Sequence, residues 1–594
     1  YHQDFGFLYG DKYDLTFLYP LRAIQKVNGA YGIIFGAKSH FTKRSRLYFN
    51  SKKDRLSVWK NLKSLSFLCK KKGVKKKFRE PSGPFKKDPP PFLVGEIPSS
   101  TKENAGRVFT KESGVEIANL DGRMSLRERY KSLIEAKKSI LIQMFLFRSD
   151  EAGKFFAEIL SKKREEGLDV RLNLDGATVN LMDTLNKKTQ ADLKNQKILF
   201  NNLMASGIRV FGFSCKRPLY NELRGTDLVK LIRRNHEKVW LVDAEYSDDA
   251  RKKSSSVAIL GGINIAQEYF GLSWYKRAPY RDQDVAVRGP ILKEIKKSFE
   301  RSFINKAIRF RTYSDDKYCF NSFDPISEKE EYLKFKREKT RPYIDQKPGE
   351  KHWSIDQRRT LSAILEGTGK DNKKFGGLWA RREIKYYPVQ GARFVHSRPD
   401  EKENFVYEAY INLINNAKNE ILISNSYFLS PPLLKDALKK AIKRGVKVTL
   451  LSNGVAQNNL GPISIMNRYR YIDYFYSSRV RKQVSPYDNV TIHEWQGKRK
   501  DLNIQEASTL HNKYMIIDEK IALVGSFNLD YSSLKNSESG IIYESTLLAK
   551  DLKKFFLRDL KYARKISLDE IIQFNGPRGK DKIIISLLKV IEKH

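Results

Sequence analysis

Two distant stretches of this chain spell the same constellation of residues. The first is His236-Glu-Lys238-Val-Trp-Leu-Val-Asp243, followed by Gly261-Gly262-Ile-Asn264. The second is His511-Asn-Lys513-Tyr-Met-Ile-Ile-Asp518, followed by Gly525-Ser526-Phe-Asn528. Both read H-x-K-x4-D, then an apolar strand-like run, then G-[GS]-x-N. In a chain this rich in lysine, one histidine meets H-x-K-x4-D by accident about one time in a hundred. Two of the eight histidines do so here, each with the same sequel, so coincidence is a poor account of the pattern. His396 and His493 have no such company and receive no role.

The surroundings repeat as well. Ahead of the first motif the apolar periodicity predicts a helix over 127–136, a strand over 139–145, a helix over 153–164 and a strand over 169–174. Ahead of the second it predicts a helix over 405–417, a strand over 420–424, a helix over 433–443 and a strand over 446–451. The junctions Arg164-Glu-Glu-Gly-Leu-Asp-Val and Lys443-Arg-Gly-Val-Lys-Val carry the same helix-stop signal. A repeat this long means duplicated lobes rather than a solenoid. The expected fold class is α/β, with two similar α/β/α lobes on mixed sheets packed face to face and a basic N-terminal extension. Residues 1–105 read as that extension ending in a Pro-rich linker, 106–325 as the first lobe, 326–384 as a charged inter-lobe connection, and 385–594 as the second lobe with C-terminal helices. At 594 residues the chain is long enough for several cores.

The spacing has a chemical meaning. In a strand, His and Lys two apart project from one face, so His236 with Lys238 and His511 with Lys513 converge on a common pocket. Asp243 and Asp518 fall at odd parity, which points to turn and hydrogen-bond support. Asn264 and Asn528 reach the pocket because small residues beside them permit close backbone approach. Two imidazoles, two ammonium groups and two amides suit phosphodiester chemistry. One imidazole attacks phosphorus and becomes a phosphohistidine, while the other protonates the leaving oxygen and then activates the acceptor. The lysines and asparagines stabilise charge on the non-bridging oxygens, so no cofactor or metal is required. A nucleophilic imidazole must also be neutral and oriented by a carboxylate or carbonyl on its other nitrogen. Glu538 offers one in the second repeat, and Asp282 or Asp284 in the first.

Composition narrows the partners. The formal net charge is +43, from 112 Lys+Arg against 69 Asp+Glu, which draws the chain to polyanions: an anionic membrane surface or nucleic acid. Lys70-Lys71-Lys72 and Lys75-Lys76-Lys77 concentrate that charge near the N-terminus. Cys69, Cys215 and Cys319 form neither a disulfide framework nor a CxxC site. No run approaches the length of a spanning helix. The numbering begins at Tyr1, which leaves room for an exported protein whose signal peptide has been removed.

The paired motifs resemble the phospholipase D superfamily, and more narrowly the bacterial cardiolipin synthases. The similarity covers about 115–325 and 385–570, and is carried by Gly261-Gly-Ile-Asn-Ile-Ala-Gln-Glu-Tyr-Phe-Gly271, Arg281-Asp-Gln-Asp-Val-Ala-Val-Arg-Gly-Pro290 and Gly525-Ser-Phe-Asn-Leu-Asp530. The resemblance implies a site between two lobes, no metal, a covalent phosphohistidine, His236 as nucleophile and His511 as acid and base. It implies a phospholipid phosphatidyltransferase with pseudo-twofold lobes, read as a monomer, and the basic surface without a spanning helix adds peripheral membrane association. The alternatives are a phospholipase D hydrolase, if water is the acceptor, and a nuclease of the same superfamily. The chain departs from the synthases in having Ser532-Ser533 where they commonly have Arg-Ser, in lacking their N-terminal transmembrane pair, and in its long basic N-terminal segment.

Overall fold

The computed structural model describes residues 106–175, 199–200, 202–213, 234–249, 255–271, 278–310, 383–401, 403–454, 467–468, 470–471, 488–499, 504–567 and 569–571, with three N-terminal strands. The lysine run near residue 70, the proline-rich stretch, the three cysteines and all but the last two residues of the 326–384 connection lie outside the described residues. The N-terminal strands β1 (Phe7–Gly10), β2 (Asp14–Phe17) and β3 (Ser45–Leu47) pair antiparallel in that order.

The large unit opens with β4 (Val108–Thr110), β5 (Glu116–Asp121), α1 (Gly122–Glu135), β6 (Ser139–Met144), α2 (Glu151–Glu165), β7 (Asp169–Asp175), β8 (Arg209–Phe213), β9 (Val239–Val242), β10 (Val257–Gly261), β11 (Gln283–Arg288) and α3 (Leu292–Phe310). The plan then recurs as β12 (Tyr387–Pro388), β13 (Gly391–Arg398), β14 (Glu403–Asn404), α4 (Phe405–Asn416), β15 (Glu420–Asn425), α5 (Pro432–Lys443), β16 (Lys447–Asn453) and β17 (Val490–Trp495). A small ribbon, β18 (Lys498–Arg499) and β19 (Ile504–Gln505), precedes β20 (Lys513–Ile517), β21 (Ile521–Gly525), β22 (Glu538–Glu544), α6 (Thr546–Leu560) and β23 (Ala563–Lys565). The first sheet runs β12-β5-β11-β10-β9-β6-β7-β8 and the second β14-β13-β22-β21-β20-β15-β16-β17-β23. Strands β6, β7 and β8 are parallel, as are β15, β16 and β17, since a helical crossover returns a strand in its original direction. The duplicated α/β lobes are present as expected. Helix α1 starts earlier than its apolar periodicity suggests, because the Asp121 carboxylate caps the amides of Arg123 and Met124 at 3.1 Å.

Strand alternation explains the layering. Leu141, Leu241 and Leu260 from the first sheet share one core with Leu422, Tyr514 and Val524 from the second, together with Phe299 and Phe303 of α3 and Phe556 of α6. The intervening residues face outward, and Trp240 meets Phe156 of α2 at 5.1 Å between ring centroids. Ile423 and Met515 likewise turn to a separate core with Tyr410 of α4 and Leu438 of α5. Each such side chain contributes on the order of 1.5–3 kcal/mol when fully buried, so neither lobe could leave its inner face in water. The lobes also exchange strands: β4 pairs with β13 of the second sheet, and β12 pairs with β5 of the first.

Asp243 and Asp518 adopt left-handed φ values of 50° and 51°, a conformation aspartate tolerates better than most residues. Asp243 accepts the amides of Lys137, Lys138 and Ser139 at 2.7–3.0 Å. Asp518 accepts those of Lys418, Asn419 and Glu420 at 2.7–2.9 Å. Each carboxylate thus closes the turn that starts its neighbouring central strand, β6 or β15. Hydrogen bonds to a charged group are worth about 1.5–3 kcal/mol each. Asp243→Ala should therefore lower unfolding stability by about 3 kcal/mol, measured by denaturant titration; an unchanged midpoint would contradict this bracing role.

Candidate active site

The two motif histidines precede their strands rather than lying in them: β9 begins at Val239 and β20 at Lys513. Both sit in extended lead-ins that pair with the opposite lobe. Asn235 bridges Ser537, and Leu510 bridges Arg281, each in parallel sense. The His236 amide donates to the Ser537 carbonyl at 2.9 Å, and the Ser537 amide to the Arg234 carbonyl at 2.8 Å. On the other side the His511 amide donates to the Arg281 carbonyl at 2.7 Å, and the Arg281 amide to the Thr509 carbonyl at 2.8 Å. The residue after each bridge is an acid. Glu538 consequently lies with both oxygens 3.0 Å from His236 Nδ1, and Asp282 lies 2.7 Å from His511 Nδ1. Sequence reasoning found these acids by their place in each repeat, but the pairing is crosswise between lobes. When ionised, a carboxylate on Nδ1 accepts only, so it draws the proton there and leaves the Nε2 lone pair free; His511 Nδ1 also lies 2.9 Å from Lys513 Nζ.

The lysines come to the same place. Lys238 Nζ donates to the His236 carbonyl at 2.7 Å, and Lys513 Nζ to the His511 carbonyl at 2.6 Å and to Ser426 Oγ at 3.1 Å. Lys238 also lies 5.1 Å from the centre of the Phe145 ring, which meets His236 edge-on at 4.7 Å. Tyr269 packs edge-on against His511 at 5.3 Å, and its hydroxyl accepts from Asn264 Nδ2 at 2.9 Å. Asn264 Oδ1 accepts the Leu146 amide at 3.1 Å. The Asn528 Oδ1 is buried with no hydrogen-bond partner among the described residues, while its backbone amide donates to Ser533 Oγ at 3.0 Å. Asp243 and Asp518 are held by the backbone turns described above. Asp284 is placed apart from both histidines: it takes Arg129 at 2.9 Å, Ser125 at 2.7 Å and the Ile263 amide at 3.1 Å.

The small residues of G-[GS]-x-N have a role that the spacing alone did not indicate. A Cβ on Gly262 would stand 2.2 Å from Asp282 Oδ1, so glycine is what makes room for the acid that orients His511. At the equivalent place Ser526 Oγ donates to Glu538, the acid that orients His236. One position therefore tunes each dyad, by space in one half and by a hydrogen bond in the other.

Asp175 and Asn453, the last residues of β7 and β16, were also missed. Asp175 accepts the Asn235 amide and the Arg234 guanidinium at 2.8 Å. Asn453 accepts the Leu510 amide at 2.9 Å. Both clamp the residue ahead of a motif histidine. Their equivalent position at the end of a repeated strand was the available signal.

Burial dominates the electrostatics. It pushes the Asp282 carboxyl up to about 8 against the pull of Lys513, and the Glu538 carboxyl up to about 8 against that of Lys238. It lowers Lys238 to about 7 and Lys513 to about 8. Burial, followed by the charges of Lys238, Lys513 and Arg234, holds His236 well below its ordinary value, so its imidazole is neutral at pH 7. These groups titrate as a unit, and an incoming phosphodiester anion supplies the charge that favours both protonated lysines. Among the described residues no group of three or more His, Cys, Asp or Glu is arranged to hold a metal ion. Gly262→Ala should leave the fold intact but displace the Asp282 carboxylate, lowering kcat about 100-fold; wild-type turnover in a correctly folded variant would show that the cradle is not needed.

The family model described as "Cardiolipin synthase, PLD-like domain" matches residues 410–560, within the second lobe. Across both lobes the chain is 23% identical over 471 residues to a cardiolipin synthase of Clostridium perfringens, covering 78% of this chain and 74% of that protein. It is 24% identical over 443 residues to cardiolipin synthase C of Escherichia coli, covering 72% and 81%. Among solved structures, the phosphatidylserine synthase of Haemophilus influenzae superposes with a TM-score of 0.50 at 14% identity, covering 83% of this chain and 96% of that one, a likeness of fold. With the doubled motif, these findings support the phospholipase D superfamily, cardiolipin synthase-like, as the family this chain resembles.

Proposed function

We propose that this protein is a phospholipid phosphatidyltransferase working through a phosphohistidine. The observation that carries the reading is the pair of imidazoles, each held at Nδ1 by an acid of the opposite lobe and each accompanied by a buried lysine. His236 suits the nucleophile: its ring is 8% exposed, its carboxylate partner engages it through both oxygens, and it stays neutral. Its Nε2 lone pair attacks phosphorus, and the bond from phosphorus to the departing head-group oxygen breaks. His511, 14% exposed, carries a proton on Nε2 as well as Nδ1 in this step and gives the Nε2 proton to that oxygen. In the second half His511 takes the proton of an acceptor hydroxyl, whose oxygen attacks phosphorus and expels His236. Lys238, Lys513 and the amides of Asn264 and Asn528 stabilise the charge on the non-bridging oxygens.

The likeness to cardiolipin synthases supports a phospholipid donor and, as acceptor, the hydroxyl of phosphatidylglycerol. Water in its place would make the same site a hydrolase. Among the described residues no helix is long and apolar enough to cross a membrane. Helix α6 presents Leu547, 67% exposed, and Leu557, 48% exposed, in one stripe with exposed Lys550 and Lys554. That stripe and the net charge of +43 support a peripheral, salt-sensitive hold on anionic lipid. The same charge favours a second reading, cleavage of nucleic-acid phosphodiesters.

Wild type and His236→Ala, incubated with phosphatidylglycerol vesicles in EDTA and read by lipid mass spectrometry beside plasmid DNA, separate these outcomes. Cardiolipin formed by wild type alone is the expected result, with a loss in the variant on the order of 10⁴-fold or more. Untouched lipid beside histidine-dependent cutting of DNA would overturn the lipid reading. The pH profile gives a further check. Lys238 and Lys513 bind the anionic diester in their protonated forms, which are retained below and lost above values of about 7 and 8. The kcat/KM should therefore fall on the alkaline side from about pH 7–8, with no acid limb near 6.5 arising from His236. An alkaline limb only above pH 10, where an unperturbed lysine titrates, would contradict the shared-charge account.

A further inference from the structure

The His511–Asp282 dyad has a charged support behind it. Asp559, fully buried on α6, accepts Arg281 Nε at 2.8 Å through Oδ1 and Asn512 Nδ2 at 3.2 Å through Oδ2. Arg281 is the residue before Asp282, and Asn512 is the residue after His511. One carboxylate of the second lobe therefore grips the side chains of the residues next to both members of the dyad, outside the Asp282–His511 contact itself. Asn512 Nδ2 also donates to Ser424 Oγ at 3.0 Å, which sets the lead-in against β15. The Arg281 guanidinium comes within 4.0 Å of Asp121 at the end of β5, so the clamp reaches from α6 to the far lobe. On the His236 side Asp175 holds the lead-in within its own lobe, and a neutral amide, Asn536 Oδ1, accepts the Arg234 amide across the lobes at 3.1 Å.

We propose that Asp559 is a positioning residue for the acid–base half of the reaction. By tying Arg281 to Asn512 it sets the separation and orientation of Asp282 and His511, and thereby the direction in which His511 Nε2 delivers its proton. The inference rests on the phosphodiester reading above. Its signature is a loss that depends on the leaving group. A poor alkoxide leaving group needs the proton from His511, whereas a nitrophenolate departs with little help. A side chain that merely stabilises the fold would slow both substrates alike.

The test uses the full chain with two phosphodiesters, one releasing p-nitrophenolate and one releasing an unactivated alcohol such as the glycerol head group of phosphatidylglycerol. Two variants are compared with wild type, Asp559→Asn and the paired Arg281→Met/Asp559→Leu. The pair removes both charges and spares the fold an uncompensated buried cation, since apolar replacement of a buried ion pair is often tolerated. The expected result is a fall in kcat/KM, which reports the leaving-group step ahead of the shared second half, of about 10–100-fold on the unactivated diester, a much smaller fall on the nitrophenyl diester, and a wild-type melting temperature for the paired variant. Equal losses on both substrates, or full recovery of alcohol release in the paired variant, would overturn the inference. Wild type inert on both diesters would instead remove the phosphodiester reading, and this inference with it.

Discussion

The site depends on two short backbone bridges between the lobes. At each, a lead-in strand from one lobe exchanges amide and carbonyl with the residue just ahead of an acid in the other. Backbone hydrogen bonds cannot slip without leaving buried polar groups unpaired, so the register of the bridge fixes which side chains meet. Histidine and carboxylate are consequently delivered to one another by main-chain geometry, and the side chains need only extend. The shared hydrophobic core and the exchanged strands β4 and β12 keep the lobes at the separation this register requires.

The pseudo-symmetry is not carried through to the chemistry. Phe145 occupies the place beside Lys238 that Ser426 occupies beside Lys513, so one ammonium group meets a ring face and the other a hydroxyl. Glycine faces Asp282 where serine faces Glu538. Tyr269 flanks His511 where Phe145 flanks His236. These differences make one half drier and more apolar and the other more polar and open. A reaction that asks one imidazole to remain neutral and the other to cycle its proton calls for such a difference.

Much of this was legible in the residues alone. The central strands and helices of both lobes follow from apolar periodicity and helix-stop signals, and the doubled H-x-K-x4-D picks out the four groups that converge. Glu538 and Asp282 were identifiable by repeat position. What periodicity could not supply was the crosswise pairing, because a sequence repeat contains no information on which copy faces which. The lead-in conformation was missed for a related reason: period-two alternation cannot distinguish a strand from an extended segment that bridges another lobe. Asp284 looked equivalent to Asp282, and only packing reveals that Arg129 and Ser125 take it up. Asp559 lies far from either motif in sequence, and tertiary packing alone brings it to the dyad.

Crosswise pairing has a consequence for how such a chain can be divided or altered. Each lobe owns an imidazole and an acid that do not serve one another, so neither lobe in isolation holds a complete dyad. Cutting the chain between the lobes would yield two pieces that are individually inert yet complementary, and activity would return only with their reassociation. A substitution at an acid of one lobe accordingly registers as a fault in the histidine of the other. Within one chain the two halves need not remain copies, and that freedom is what allows a twofold scaffold to carry two different jobs.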